Sequence, residues 1–504
     1  MSYELLSAAS SASANEFAYV KKVGVIGAGV AGLQMARALL AYGFEITVFE
    51  AAPKVGGVWR ENYHSYGVQV PKQLYEFPDF PFDAVKWGDY PTGQETQTYV
   101  EAYVDHFKLE PYIKFNTTVL ALTERKGQKG YVFDLGESGS EEFDFAIIAT
   151  GMYSQVPNMP SWAGTKGDFT GEIIHSSQYL DQSAASGKHV VVIGCGKSAI
   201  DIVVDASEVA KTSPTLLFRS AHWCTPRLIA GLIPFQYIFL SRFGQALVTW
   251  YKGAWPAGAP CIHTILSWLL FPLMWIAFRI VEFLFKIQRG QWGSYAPKLD
   301  VVADFYGYAH VLDTTFLSKW RQAKLQGKQG TVKRLVKNGV ETELGEVIEA
   351  DVVICATGWN KTYDYLPAQV QQSLNVQSDG LHLHRHCIPA KVRDISLAFC
   401  GSEVATISNI ATYALHAEYI SRMLKGVMAL PSESEMRYEC DKMRAWKRSW
   451  MPETSSRASL VLLHQTHYHD QLLRDMGLPE ARKCCLSELF CPYHPMDYNG
   501  IMKQ

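Results

Sequence analysis

Val23-Gly24-Val25-Ile26-Gly27-Ala28-Gly29-Val30-Ala31-Gly32 is the stretch that decides the fold. Its first four residues carry no polar side chain and predict a short buried strand. The spaced glycines predict the turn after it, and the stretch to Gly43 predicts a helix. Phe44 to Phe49 is a second strand, closed by Glu50, which completes a βαβ unit. Each glycine has a physical reason: Gly27 makes the tight turn, Gly29 lets backbone approach a pyrophosphate, and Gly32 lets helix and strand pack closely. Glu50, 18 residues after Gly32, stands where ribose hydroxyls can donate to it, and its charge would repel a 2′-phosphate. The unit therefore reads as a site for FAD or NAD and not for NADP.

The same grammar returns downstream. Val190-Val191-Val192-Ile193 leads into Gly194-Cys195-Gly196-Lys197-Ser198-Ala199 and a helical run through Val204, and Leu216-Leu217-Phe218 is the next strand. Ala199 stands in place of the third glycine, an accepted variant. Lys197 and Ser198 sit at the helix start, where their donors can meet a pyrophosphate. This second strand ends in Arg219 and Ser220 with no acid beside them, and a guanidinium there can clamp a 2′-phosphate. The second unit thus reads as an NADPH site. Two ordered motifs in one chain are far more specific than one.

A smaller echo links the two units. Asp144-Phe-Ala-Ile-Ile-Ala-Thr-Gly151 recurs as Asp351-Val-Val-Ile-Cys-Ala-Thr-Gly358. Each is a strand running into a turn whose Thr150 and Gly151, or Thr357 and Gly358, are candidate cofactor-binding residues. The fold expected is α/β, with two Rossmann-like dinucleotide-binding domains, the second inserted in the first, and a helical apolar insertion. The expected bounds are a flexible arm at 1–20, a first domain at 21–165 and 346–504, and an NADPH domain at 166–345.

The apolar insertion spans 226–309, and residues 253–278 contain no Asp, Glu, Lys or Arg. Its densest run, Ile265 to Phe278, falls short of the ~20 residues a spanning helix needs. With Pro256, Pro260 and Pro272 in the stretch, it reads as a buried helix pair in preference to an interfacial helix, the alternative being peripheral membrane contact through 261–287.

The 504 residues are about three times a typical domain of ~150, so at least two domains are expected. Apolar residues make up 48%, enough for large cores, and 47 Lys+Arg against 49 Asp+Glu leave no basic excess to hold a polyanion. Nucleic-acid binding is therefore not expected. The 10 cysteines include no Cys-x-x-Cys pair, so neither a disulfide scaffold nor a metal site is signalled, and a reducing, cytoplasmic setting is expected. The first 20 residues lack the basic start and long apolar core of a secretory signal.

Phe169-Thr-Gly171-Glu-Ile-Ile-His175-Ser-Ser-Gln-Tyr179 lies just before the second glycine motif and resembles the signature of flavin-containing monooxygenases. Gly56-Gly57-Val58-Trp59, Pro71-Lys72-Gln73-Leu74-Tyr75 and the tail around Leu489-Phe490-Cys491-Pro492-Tyr493 are similar to segments of that family's plant and fungal members. The resemblance covers roughly residues 21–500. It implies FAD at the first site, with Gly57 and Trp59 among its contacts, and NADPH at the second. The implied reaction forms a C4a-hydroperoxyflavin that oxygenates nitrogen or sulfur of a small, largely apolar amine or thioether, as in dimethylaniline-oxidising members. Where many members carry an Asn facing the flavin, this chain has Gln69, whose amide offers the same donor and acceptor one methylene further out and is the candidate catalytic residue. Tyr179 is followed by Leu180, whereas Baeyer-Villiger enzymes end this signature in Trp-Pro, which favours heteroatom over ketone oxygenation. His175 reads as a structural link between the domains rather than a proton-transfer group. The alternatives are a Baeyer-Villiger-type carbonyl oxygenase and a catalytically silent, membrane-associated flavoprotein.

Overall fold

A strand without polar side chains is stable only when covered on both faces, and Lys22–Ile26 lies inside a five-stranded parallel sheet. The computed structural model describes residues 15–82, 87–153, 156–256, 261–308 and 315–502. Lys22–Ile26 pairs in parallel with Glu45–Phe49 on one side and Phe145–Ile148 on the other, and Ile113–Lys114 and Leu397–Phe399 form the outer strands. Helix α1 (Val30–Ala41) crosses between the first two strands and packs on the helix Asn409–Lys425. Helix α2 (Gly93–His106) starts from a capping box in which Thr92 and Glu95 satisfy each other's backbone N–H groups.

A second parallel sheet runs in the order Gln326–Gln329, Thr215–Phe218, Val190–Ile193, Val352–Cys355, Glu172–His175. Helix α3 (Lys197–Ala206) follows its central strand. All five strands come from chain lying between Phe145–Ile148 and Leu397–Phe399 of the first sheet. The expected boundary at 346 is corrected by this pairing. Val352–Cys355 hydrogen-bonds to Val190–Ile193 and so belongs to the second sheet, and the first unit resumes only beyond Gly358. The Ala-Thr-Gly echo marks equivalent positions in two sheets, each beside its own glycine-motif strand, and not two strands of one sheet. The two segments that connect the units pair with each other, Val156–Pro157 antiparallel to Trp359–Asn360.

The arm expected at 1–20 falls outside the described residues as far as residue 14. From Asn15 it is packed: Phe17 and Val20 are buried, the Phe17 ring meets Phe145 edge-on, and Asn15 Nδ2 donates to Leu424 O. The loose-arm expectation therefore does not hold for residues 15–20, because two apolar side chains anchor them to the first core.

The insertion also differs from expectation. After α4 (Phe235–Phe239) and α5 (Arg242–Lys252), α6 (Cys261–Arg289) is one continuous helix of 29 residues with Pro272 inside it, about 43 Å long at 1.5 Å per residue. One face packs on α5, with Tyr251 stacked on Phe278, and Met274 and Phe285 are also buried, the latter beside Trp223. Glu282 on that side is buried, pairs with Arg279 and accepts from Val301 N. The other faces are open: Trp268 is 83% and Leu269 70% exposed, beside Ile265, Leu273 and Ile276. The reading as a buried helix pair is thereby overturned, since only one side of α6 finds protein.

Candidate functional site

The first glycine turn is dictated by contact. Gly27 has φ +105, and a Cβ there would lie 2.6 Å from Ala149 O. A Cβ on Gly32 would lie 1.9 Å from Gly27 O, so α1 reaches the turn only because Gly32 has no side chain. Gly29 instead faces Gly57: a Cβ on Gly57, itself at φ +58, would stand 3.2 Å from Gly29 Cα. Two glycines thus line the start of α1. Gly29 caps that helix with no side-chain hydrogen bond, in contrast to α2, which leaves the first-turn N–H groups for an anion.

Glu50 lies at this turn. Its carboxylate accepts from Ala28 N at 2.8 Å and from Ala52 N at 2.9 Å, which fixes its direction and leaves lone pairs for ribose hydroxyls. Trp59 is buried, stacks on Tyr66 and donates from Nε1 to Tyr75 OH at 2.8 Å. Thr150 ends the turn after its strand, and Gly151 follows at φ +75. Gln69 Oε1 is buried with no hydrogen-bond partner among the described residues. An orphaned acceptor of this kind is costly unless another group meets it, so it fits a bound cofactor or substrate.

The second turn repeats the logic. Gly194 has φ +135 and its Cβ would lie 2.4 Å from Ala356 O, while Ala199 is fully buried where the third glycine stood in the first motif. Gly196 caps α3 without a side-chain bond, and a Cβ there would meet nothing within 4 Å. The helix start is therefore open to a phosphate. Ser198 is in the first turn, and Lys197 pairs with Asp201 one turn on. Arg219 lies at the exposed end of its strand, where its carbonyl accepts from Gln329 Nε2.

Thr357 and Gly358 stand between the units. Thr357 Oγ1 donates to Asn158 O, and Gly358 O accepts from Asn158 N and from His175 Nε2 at 3.0 Å. His175 is 1% exposed, its Nδ1 lies 2.9 Å from Ser177 Oγ, and burial holds its pKa below the ordinary value. Both ring nitrogens are thus engaged by protein.

Sequence reasoning missed several residues at this site. Tyr63 and His64 reach α3 from the loop after Gly57, and Tyr75 holds Trp59. Beside Tyr75, Glu76 is buried and accepts from Phe82 N, and burial pushes its pKa up to about 7. No local pattern announces these roles, because each depends on a partner distant in the chain.

Comparison with known proteins agrees with this geometry. The flavin-binding monooxygenase-like family matches residues 20–253 and 324–481, and the unmatched stretch between them contains α6. Probable flavin-containing monooxygenase 1 of Arabidopsis thaliana is 28% identical over 95% of this chain and 96% of its own length. Flavin-containing monooxygenase 3 of Canis lupus familiaris is 28% identical over 91% of this chain and 83% of its own. Among solved structures, S-allyl-L-cysteine S-oxygenase from Allium sativum superposes with a TM-score of 0.62 at 19% identity, covering 91% of this chain and 89% of that one. Cyclohexanone monooxygenase from Rhodococcus sp. Phi1, solved with NADP+, gives 0.68 at 17%, covering 91% and 97%. At these identities the two structures establish the shared fold.

Proposed function

Because the chain belongs to the flavin-binding monooxygenase-like family, we propose that its two dinucleotide cradles serve one reaction, the NADPH- and O2-dependent oxygenation of nitrogen or sulfur in a small nucleophile. The observation that carries this reading is the chemical asymmetry of the cradles: a carboxylate ends the second strand of the first, and a guanidinium ends that of the second. In this reading FAD occupies the first cradle and NADPH the second.

Bound FAD supplies the electron-transfer and oxygen chemistry, which no side chain here can perform. The chain binds, orients and excludes water. Gly29 and Gly57 admit a pyrophosphate to the α1 N–H groups, and Glu50 takes ribose hydroxyls. Gly196, Lys197 and Ser198 receive the second pyrophosphate, and Arg219 takes the 2′-phosphate. Gln69 presents a half-buried amide whose Nε2 can donate and whose buried Oε1 can accept at the reacting face. Leu180 after Tyr179 supports an amine or thioether over a ketone, and the named sulfur chemistry of the Allium sativum neighbour is consistent with that choice. The test is NADPH oxidation in the presence of amine, thioether and ketone panels. N-oxide or S-oxide matched to NADPH is expected; ester or lactone formation, or peroxide release equal to NADPH with every compound, would refute the proposal.

We also propose that the enzyme works on the cytoplasmic side of a membrane and rests on lipid through α6. Ile262–Arg289 is long and apolar enough to cross a bilayer. Its attachment along α5 and its buried Glu282 instead suit a helix lying in the interface, with Trp268 and Leu269 inward to lipid and Lys286 and Arg289 near its end. Co-sedimentation with anionic vesicles, abolished by Trp268→Glu with Leu269→Glu, is the expected outcome, and equal sedimentation of variant and wild type would sink this part.

A further inference from the structure

The loop 56–66 touches both cradles. At one end Gly57 faces Gly29 at the start of α1. In its middle Trp59 is buried in the first core, held by Tyr75 and Tyr66. Only four residues later Tyr63 packs against the second core, while its ring still meets Tyr66 edge-on.

From there the loop grips α3. Lys197, Asp201 and Asp205 recur every fourth residue and so share one helix face. Tyr63 OH donates to Asp201 Oδ2 at 2.8 Å, while Lys197 holds the other oxygen of the same carboxylate. His64 Nδ1 lies 3.0 Å from Asp205 Oδ2, and His64 N donates to Tyr179 O at 2.6 Å. Tyr179 OH and Gln182 Nε2 complete the shell of Asp205, at 2.8 and 3.1 Å. Both carboxylates are nearly buried, their side chains 10% and 11% exposed, so these donors are strong and directional. Tyr63 is accordingly two contacts away from the phosphate-facing start of α3.

We propose that Tyr63 and His64 are positioning residues for the reductive step: acting through Asp201 and Asp205, they fix the NADPH cradle relative to the flavin cradle. The inference rests on the assignment of FAD and NADPH to the two sites. Hydride transfer is sensitive to displacements of a fraction of an ångström, whereas the affinity of each cofactor for its own cradle is not. Losing the Tyr63 hydroxyl therefore lowers the limiting rate of flavin reduction and leaves NADPH affinity almost unchanged. Asp201→Asn keeps an acceptor for Tyr63, and Asp201→Ala does not.

The experiment is anaerobic stopped-flow bleaching of the FAD holoenzyme over a range of NADPH concentrations. For Tyr63→Phe, which keeps the buried ring, a limiting rate lower by about tenfold is expected, with half-saturating NADPH and FAD content as in wild type. Asp201→Asn should retain more of the limiting rate than Asp201→Ala. Wild-type enzyme bleached by NADPH while Tyr63→Phe matches its limiting rate would overturn the positioning role alone. Loss of NADPH affinity at an unchanged limiting rate would do the same. A wild-type flavin that NADPH fails to bleach would overturn the cofactor assignment beneath it.

Discussion

Gly194 and Gly196 are two residues apart and make opposite demands, so substituting each by alanine separates folding from cofactor binding. Gly196 has φ −77 and ψ −179, an extended geometry open to any residue, and a Cβ there meets nothing within 4 Å. Gly196→Ala should therefore melt within about 0.5 kcal/mol of wild type, a shift of no more than about 2 °C. The space its methyl takes is the approach of a pyrophosphate to the first turn of α3. Losing one charge-assisted hydrogen bond there costs about 2–3 kcal/mol, which is roughly 30- to 150-fold in the Kd of NADP+. Gly194→Ala is the converse, because φ +135 and an Ala356 carbonyl 2.4 Å from the new Cβ force the strand end to move. Its cost is about 2–4 kcal/mol in stability. Calorimetric titration with NADP+ and thermal melting of both variants, each loaded with FAD, measure the two effects. If Gly196→Ala bound NADP+ as wild type does, or if its lost binding came with a melting shift as large as that of Gly194→Ala, the phosphate-cradle reasoning would fail.

Further outcomes follow from single side chains. Gln69→Ala should leave anaerobic reduction by NADPH unchanged but cut oxygenated product per NADPH by about tenfold or more, the balance appearing as peroxide; unchanged coupling would remove Gln69 from the reacting face. Arg219→Ala should weaken NADPH by about 10- to 100-fold and barely affect NADH, and equal losses for both would reject the 2′-phosphate clamp. Glu76 holds its proton up to about 7 against an ordinary 4.5. Between those values the native state keeps a proton that the unfolded chain has released, so stability falls as pH rises through that window. Glu76→Gln should thus be more stable than wild type by about 1–3 kcal/mol above pH 7 and indistinguishable below pH 4.5; parallel stability curves across that range would refute the assignment.

The glycine turns were legible in the sequence because steric necessity writes them. Gly27, Gly32 and Gly194 stand where a Cβ would strike a carbonyl oxygen, and no other residue could keep those contacts. The strand-end positions of Glu50 and Arg219 were legible for a related reason, since a strand of fixed length delivers its last residue to a fixed place. Other features were not. Val352–Cys355 reads the same in either sheet, because a wholly buried parallel strand advertises burial and not its neighbour. The apolar residues of α6 state that water is avoided, not whether protein or lipid replaces it, and Pro272 disguised the helix's length. Tyr63, His64, Asp201 and Asp205 matter only as pairs whose members lie about 140 residues apart, a relation that local spacing does not encode.

The paired connection between the units bears on the order in which the chain assembles. Leu397–Phe399 must find Phe145–Ile148 across a separation of about 250 residues, an expensive loop to close. Once Val156–Pro157 has met Trp359–Asn360, the effective loop shrinks to about fifty residues, lowering that entropic cost by about 1.5 kcal/mol. The inserted unit, whose strands all lie between the two connecting segments, brings those segments together and so acts as a clasp. The last strand of the first sheet then docks onto an edge that has been waiting for it.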